Sequence, residues 1–457
     1  MSLGSRFYRQ KGRVTMDENE LMGSMKVSKA VAKMAIPSVI SSLVTVVYNM
    51  ADTFFVGQTG DPLQVAAVSL TNPIFILFMA FANMFGMGGS AAASMALGEK
   101  KEKRVKQVSS FITYASLIVG IVFAAILLVG MQPVLQLFGA DADTYELAKG
   151  YTTYISYGAP FIIWSAAASF VVRADGASRE AMTGSMIGTV ANIILDPIFI
   201  SGFGMGAAGA AIATTIGNIM ASVYYLWYFC RKSRNMSMAF RYFKCGDRIL
   251  SQVCSAGLPT AIFSALMSIS TIILNQILVE YGNAPVAAIG IVFKANMFIT
   301  FLQMGLANGV QPLLGYSYGA GNRERFLAVE RYTKKCCLIV GVLATALFFF
   351  FREPIIRLFI SDTEVINYGV EMLIAYMISG PVIGILFMNM NCMQSTGNAL
   401  PATILSILRQ GVLLIPVLYG LNALLGLHGV IYGQALTDYV AVLLSIVIWR
   451  WKRRKTL

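Results

Sequence analysis

The sequence predicts an all-α integral membrane protein: twelve transmembrane helices in two parallel six-helix repeats, related by a pseudo-two-fold axis along the membrane normal. Three observations predict it: the apolar content, the placement of the charges, and an internal repeat. Of 457 residues, 57% are hydrophobic and 12% charged. A crossing helix needs about 20 predominantly apolar residues, so the apolar residues suffice for roughly a dozen crossings. The charged share is about half that of a soluble domain. A soluble enzyme, a disordered chain and a coiled coil are excluded. A net charge of +13 first suggests nucleic acid, but basic residues on the cytoplasmic rim of a membrane protein explain it.

Twelve apolar segments follow in order, near 31–56, 63–93, 107–131, 148–172, 181–201, 206–230, 251–279, 285–315, 333–351, 366–393, 401–422 and 429–449. All are too long for strands and lack the alternation of an outer-membrane barrel. Helices are the remaining structure that satisfies its own backbone in lipid. A polar arm, 1–30, precedes the first. Lys100, Lys101, Lys103, Arg104 and Lys106 separate the second and third; Arg173 and Arg179 lie between the fourth and fifth. Arg231, Lys232, Arg234, Arg241, Lys244 and Arg248 follow the sixth, in a linker over 231–250. Arg323, Arg325, Arg331, Lys334 and Lys335 follow the eighth, and a basic tail over 450–457 follows the twelfth. With the N-terminus in the cytoplasm, 30 of the 35 Lys and Arg fall inside, and Lys149, Arg352 and Arg357 fall outside. That bias predicts both termini in the cytoplasm and an even number of crossings.

Acids take the other side: Asp61, Asp141, Asp143, Glu146, Glu280, Glu353, Asp362, Glu364 and Glu371. The first apolar segment is too long for a cleavable signal peptide and follows the polar arm. The six cysteines fall at or near cytoplasmic ends, which reads as reduced thiols.

The halves align at an offset of about 221. Pro37 matches Pro259, Val65-Ala66-Ala67 matches Val286-Ala287-Ala288, and Gly98 matches Gly319. Phe138 and Asp141 match Phe359 and Asp362, Pro160 matches Pro381, and Gly176 matches Gly397. Six helices per half make the repeats parallel, giving an N-lobe over 31–230 and a C-lobe over 251–449. Transporters commonly bind substrate between such repeats, but function has to be argued from a site.

Ionisable groups inside a bilayer are functional candidates. Asp52 lies in the first helix, Asp196 in the fifth and Asp438 in the twelfth. At about 1.5 Å per residue, Asp52, Asp196 and Thr214 lie roughly 7–10 Å below the outer ends of helices 1, 5 and 6. Asn192 is one turn from Asp196 on the same face. Asp52, Asn192, Asp196 and Thr214 thus offer oxygen ligands to a hard cation, a metal site if the ion is Na+. Burial and like charge also favour a proton on such a carboxyl pair. The alternative is that each acid only caps a broken helix, since Pro197 follows Asp196. At the repeat offset Asp52, Asn192, Asp196 and Thr214 align with Leu274, Leu413, Val417 and Gln434. The asymmetry points to a task for the N-terminal half.

Asp438 reads first as a satisfied structural group, with Asn218 as its counterpart, and second as a transport residue. Lys294, near mid-membrane in helix 8, is expected to pair with an acid, modulate cavity charge or snorkel. Arg409 is placed near the cytoplasmic rim. The 25 methionines suit a promiscuous apolar cavity as well as ordinary packing. Gly204-Met205-Gly206-Ala207-Ala208-Gly209 fits G-x-G-x-x-G but follows a membrane helix and has no acid about 20 residues on; a tight outer turn explains it. With His428 alone, histidine-based zinc sites and a Ser-His-Asp triad are excluded. No Walker loop appears.

Four stretches carry a resemblance: Asn49-Met-Ala-Asp52-Thr-Phe-Phe-Val-Gly57, Arg173-Ala-Asp-Gly176, Asn192-Ile-Ile-Leu-Asp196-Pro197 and Ala213-Thr-Thr-Ile-Gly-Asn218. With twelve helices in two repeats, the chain resembles the multidrug and toxic compound extrusion (MATE) family, over essentially its whole length. The resemblance implies a secondary active, H+- or Na+-coupled antiporter that expels small organic, cationic, amphipathic compounds. It implies no cofactor beyond the coupling ion, no nucleic-acid partner, and a monomer in the inner (plasma) membrane. In the DinF-like branch, with its MepA-like exporters, the helix 1 Asp and helix 5 Asn and Asp form the N-lobe ion site, with a helix 6 Thr in some members. These carry over to Asp52, Asn192, Asp196 and Thr214, with Asn49 as a further cavity candidate. Pro37 is expected to let helix 1 bend, and Pro197 helix 5. The NorM-like branch has a helix 7 glutamate about eight residues after Gly-x-Pro; here Gly257-Leu-Pro259 leads to Met267, so a C-lobe ion site of that kind is not expected. The rival readings are a lipid-linked oligosaccharide flippase of the same superfamily, disfavoured by few buried cations, and a membrane-embedded receptor or enzyme, for which no nucleophile–base constellation is present.

Overall fold

The computed structural model describes residues 20–457, so Arg6, Arg9, Lys11 and Arg13 of the basic arm lie outside the described residues. The described chain is helical and contains no strand among the described residues. The first half comprises α1 (Val27–Gly57), α2 (Pro62–Gly98), α3 (Glu102–Val129), α4 (Met131–Leu137), α5 (Tyr145–Ala174), α6 (Ser178–Pro197) and α7 (Gly206–Arg231). The second comprises α8 (Ile249–Val279), α9 (Asn283–Gly319), α10 (Arg323–Phe350), α11 (Arg352–Arg357), α12 (Thr363–Ile378), α13 (Gly380–Ser395), α14 (Ala399–Ile407), α15 (Leu414–Leu425) and α16 (Leu427–Thr456). Eleven helical segments are long and apolar enough to cross a membrane; α12 and α13, bent by 45° at their junction, supply a twelfth as one span. The sequence placed one unbroken segment there. Pro381 follows the break, and a proline at the start of a helix has no amide to lose.

The short helices α4 and α11 were not anticipated. They sit at the repeat offset from one another, so the duplication extends beyond the spans. Two π-helical turns interrupt spans, Ile198–Gly202 directly after Pro197 and Leu408–Leu413 between α14 and α15. The residues expected as a basic tail continue α16 to Thr456.

The chain forms two compact units. The first contains Val44–Gly257 and Gly315–Gly321, and the second Val27–Leu43, Leu258–Leu314 and Asn322–Leu457. In the first, α5 packs against α2, α3 and α7. Small residues permit the close approach, as membrane helices require. A Cβ at Gly120 of α3 would lie 2.4 Å from the Cα of Pro160 in α5. The linker is laid on this unit. Ser109 Oγ donates to the carbonyl of Ser237 (2.9 Å), Ser110 Oγ to that of Ala239 (3.1 Å) and Tyr114 Oη to that of Met238 (3.0 Å). Asp175, at the end of α5, accepts from Tyr228 Oη (2.8 Å), Ser233 Oγ (2.6 Å) and Asn235 Nδ2 (2.9 Å). Burial pushes the Asp175 carboxyl up, and these three donors pull it back. In the second unit, α8, α9, α12, α15 and α16 share a core that includes Leu278, Val292, Met372, Leu418 and Val430.

Candidate functional site

The site in the first unit is built from α1, α5, α6 and α7. Asp196 is the residue before Pro197, where α6 gives way to a π turn. Proline lacks the N–H that would continue the helical ladder, and π turns recur where a helix has to present a side chain. Asp196 is fully buried, Asn192 is 3% exposed and Thr214 is 4% exposed. The Asn192 amide is oriented by its neighbours, since a carboxylate only accepts. Its nitrogen donates to Asp196 Oδ2 at 2.9 Å, and its oxygen accepts from Thr214 Oγ1 at 3.2 Å. That uses the threonine proton, so the contact of 3.3 Å between Tyr48 Oη and Thr214 Oγ1 has the tyrosine as donor. Asn218 fixes this turn of α7, donating to the Thr214 carbonyl at 2.9 Å and accepting from Ser165 at 2.9 Å.

A relay thus runs from Tyr48 through Thr214 and Asn192 to Asp196. It ends at Asp196 Oδ1, a buried oxygen with no hydrogen-bond partner among the described residues. Such an atom is costly to bury and is the natural acceptor for a proton or a small hard cation. Asp52, partly buried on α1, is within electrostatic range of Asp196, and the buried Tyr151 of α5 is within range of both carboxylates. Asn49 is partly buried one turn before Asp52. The sequence reading missed Tyr48 and Tyr151. Tyr48 carried a signal, being four residues before Asp52 on the same helical face; Tyr151 had none, because α5 is brought in by packing alone. No group of three or more His, Cys, Asp or Glu that could hold a metal occurs among the described residues. Any cation here would rest on two carboxylates with neutral oxygens.

The other candidates separate from this cluster. Asp438 of α16 is 3% exposed and accepts from Arg409 Nε at 2.8 Å and Gln434 Nε2 at 3.0 Å. Arg409, which the sequence placed near the cytoplasmic rim, is 6% exposed. Its guanidinium lies 5.3 Å from the Phe263 ring and 5.8 Å from the Phe387 ring. Ion pairing and cation–π contact offset the loss of water that depth along the helix alone would forbid. Lys294 is exposed and has no ion-pair partner among the described residues. Pro37 is internal to α1, in the part that belongs to the second unit. Gly204 and Gly206 have φ of 66° and 53°, conformations that glycine tolerates. They form the tight turn before α7, and Gln64 Oε1 accepts from Ala207 N there at 2.8 Å.

Helices long and apolar enough to span a bilayer, arranged in two repeats, are the architecture of a membrane transporter. The MatE family model matches twice, over residues 37–198 and 259–419, and the chain belongs to that family. The Multidrug export protein MepA of Staphylococcus saprophyticus is 32% identical over 422 residues, covering 92% of this chain and 93% of its own length. Among solved structures, a MATE in the straight conformation superposes with a TM-score of 0.90 at 25% identity, covering 95% of this chain and 97% of the other. A MATE in the bent conformation gives 0.88 at 26% identity, covering 95% and 97%.

Proposed function

We propose that this protein is a multidrug exporter that couples the outward movement of small organic, cationic, amphipathic compounds to the inward movement of H+ or Na+. The observation that carries the reading is the buried Oδ1 of Asp196, unpartnered among the described residues, at the end of the Tyr48–Thr214–Asn192 relay and within electrostatic range of Asp52. An acid held in this way stays unsatisfied until a proton or cation reaches it. Loading then changes the relative stability of two arrangements of the protein, and a drug with the opposite preference is exchanged against the ion. The likeness to MepA supports drugs as the cargo. The two proline-interrupted helices, α1 at Pro37 and α6 at Pro197, are the elements whose bending would follow loading. Asp438 serves packing in this reading, since it is ion-paired with Arg409. The protein works as a monomer in the plasma membrane with both termini in the cytoplasm.

The test uses proteoliposomes loaded with a cationic dye, with H+ and Na+ gradients imposed independently. Gradient-driven dye movement is expected in the wild type and is expected to fall to the background of empty liposomes in Asp52→Asn and in Asp196→Asn. Transport that persists unchanged in both variants would sink the proposed site. Dependence on one gradient and not the other identifies the ion.

A further inference from the structure

In the second unit, α10, α13 and α16 line an open pocket of about 290 Å³ at the ends that carry the basic loops. Arg331, Lys334, Arg450 and Arg453 line it, with one carboxylate, Glu330. Glu330 is 2% exposed. Its Oε1 accepts from Lys334 Nζ at 2.5 Å and from Trp449 Nε1 at 2.7 Å. Its Oε2 has no hydrogen-bond partner among the described residues but is ion-paired with Arg453 Nη1 at 3.6 Å. The acid therefore holds Lys334 and orients Arg453 but neutralises only one of four cations. The remaining wall is apolar, made by Ile385, Ile446 and the Trp449 ring.

Duplication does not account for this composition. At the repeat offset, Glu330, Arg331, Lys334 and Arg450 align with Ser109, Ser110, Thr113 and Cys230. In the first unit Ser109 and Ser110 are covered by main chain at 237–239. In the second unit the matching positions are charged: Glu330 is buried and Arg331 is exposed.

We infer that this pocket binds the phosphate of an anionic phospholipid. A phosphate diester is the group that a cluster of arginines takes up with paired hydrogen bonds, and basic pockets between membrane helices suit such head groups. The neighbouring surface decides for a lipid over a free anion. Leu443 and Val447 are 63% and 64% exposed and lie in a row with Trp451, 54% exposed, on the face of α16 beside Ile446 and Arg450. This row offers acyl chains an apolar track that leads directly from the head-group pocket. Lys455 Nζ sits 4.2 Å from the Trp451 ring, the arrangement of an interfacial anchor.

The experiment is native mass spectrometry of the full chain extracted from bilayers of equal parts phosphatidylglycerol and phosphatidylcholine with the same acyl chains. The wild type is expected to retain phosphatidylglycerol over phosphatidylcholine, with about a fivefold loss of that preference for each cation removed in Arg331→Gln and Arg450→Gln. Arg450→Lys, which keeps the charge, is expected to keep most of the preference and controls for misfolding. Equal retention of the two lipids by the wild type overturns the proposal, as does a preference that survives the double Gln variant. Inorganic phosphate that displaces phosphatidylglycerol at equal concentration makes the ligand a free anion and overturns the lipid assignment. The readout does not involve transport, so the result stands apart from the coupling site.

Discussion

At Asp196 a carboxylate is buried completely and only half satisfied. Its contrast is Asp438, equally deep but held by an arginine and a glutamine. The difference is that Asp438 is paired with a cation through its Oδ1, whereas Asp196 has no such pairing among the described residues. It also gives a stability prediction. Arg409→Met strands a buried carboxylate and is expected to cost about 3–5 kcal/mol, read as a lower melting temperature in detergent. Arg409→Met with Asp438→Leu removes both charges and is expected to recover most of that loss. A double variant as unstable as the single would mean that the pair does more than neutralise itself. The sequence exposed both acids by their depth. It did not reveal the partners of Arg409, because Asp438, Phe263 and Phe387 come from three other helices.

Among the elements, backbone contacts set the tolerance to change. Gly120 admits no Cβ without moving the Pro160 main chain, and helix backbones yield less easily than side-chain ends. Gly120→Ala is therefore expected to destabilise the first unit by about 1–3 kcal/mol, seen as a lower thermal midpoint and lower yield. Gly204→Ala strains a left-handed turn but meets no atom within 4 Å, so its cost is expected to be smaller; a larger effect than that of Gly120→Ala would contradict this ranking. The linker over 232–248 shows what periodicity does not reveal. Its basic residues read as a solvated tether, yet its main chain is bound by Ser109, Ser110 and Tyr114, and Phe240 and Phe243 pack on the Tyr114 ring at 5.3 and 5.4 Å. Serines and a tyrosine inside an apolar segment are the one sequence trace of that docking.

For the whole molecule, charge placement predicts orientation. Cys230 and Cys245 are exposed thiols on either end of the stretch that runs into the basic linker. A membrane-impermeant maleimide is expected to label them in inside-out vesicles and not in intact cells. Labelling in intact cells would invert the topology and with it the direction of export. The repeat was legible from proline, glycine and acid matches alone, and the family match over 37–198 and 259–419 carries the same spacing.

The sequence by itself determined the membrane, the number of spans, the duplication and the asymmetry of acids between the halves. These follow from hydropathy, spacing and charge, properties that each residue carries wherever the chain goes. Only the tertiary structure decided that Tyr48, Thr214 and Asn192 form one relay to Asp196, that Arg409 pairs with Asp438, and that four cations line an open pocket at Glu330. Those depend on helices distant in sequence meeting at a given rotation, and hydrogen bonds a few ångströms long are fixed by that packing alone.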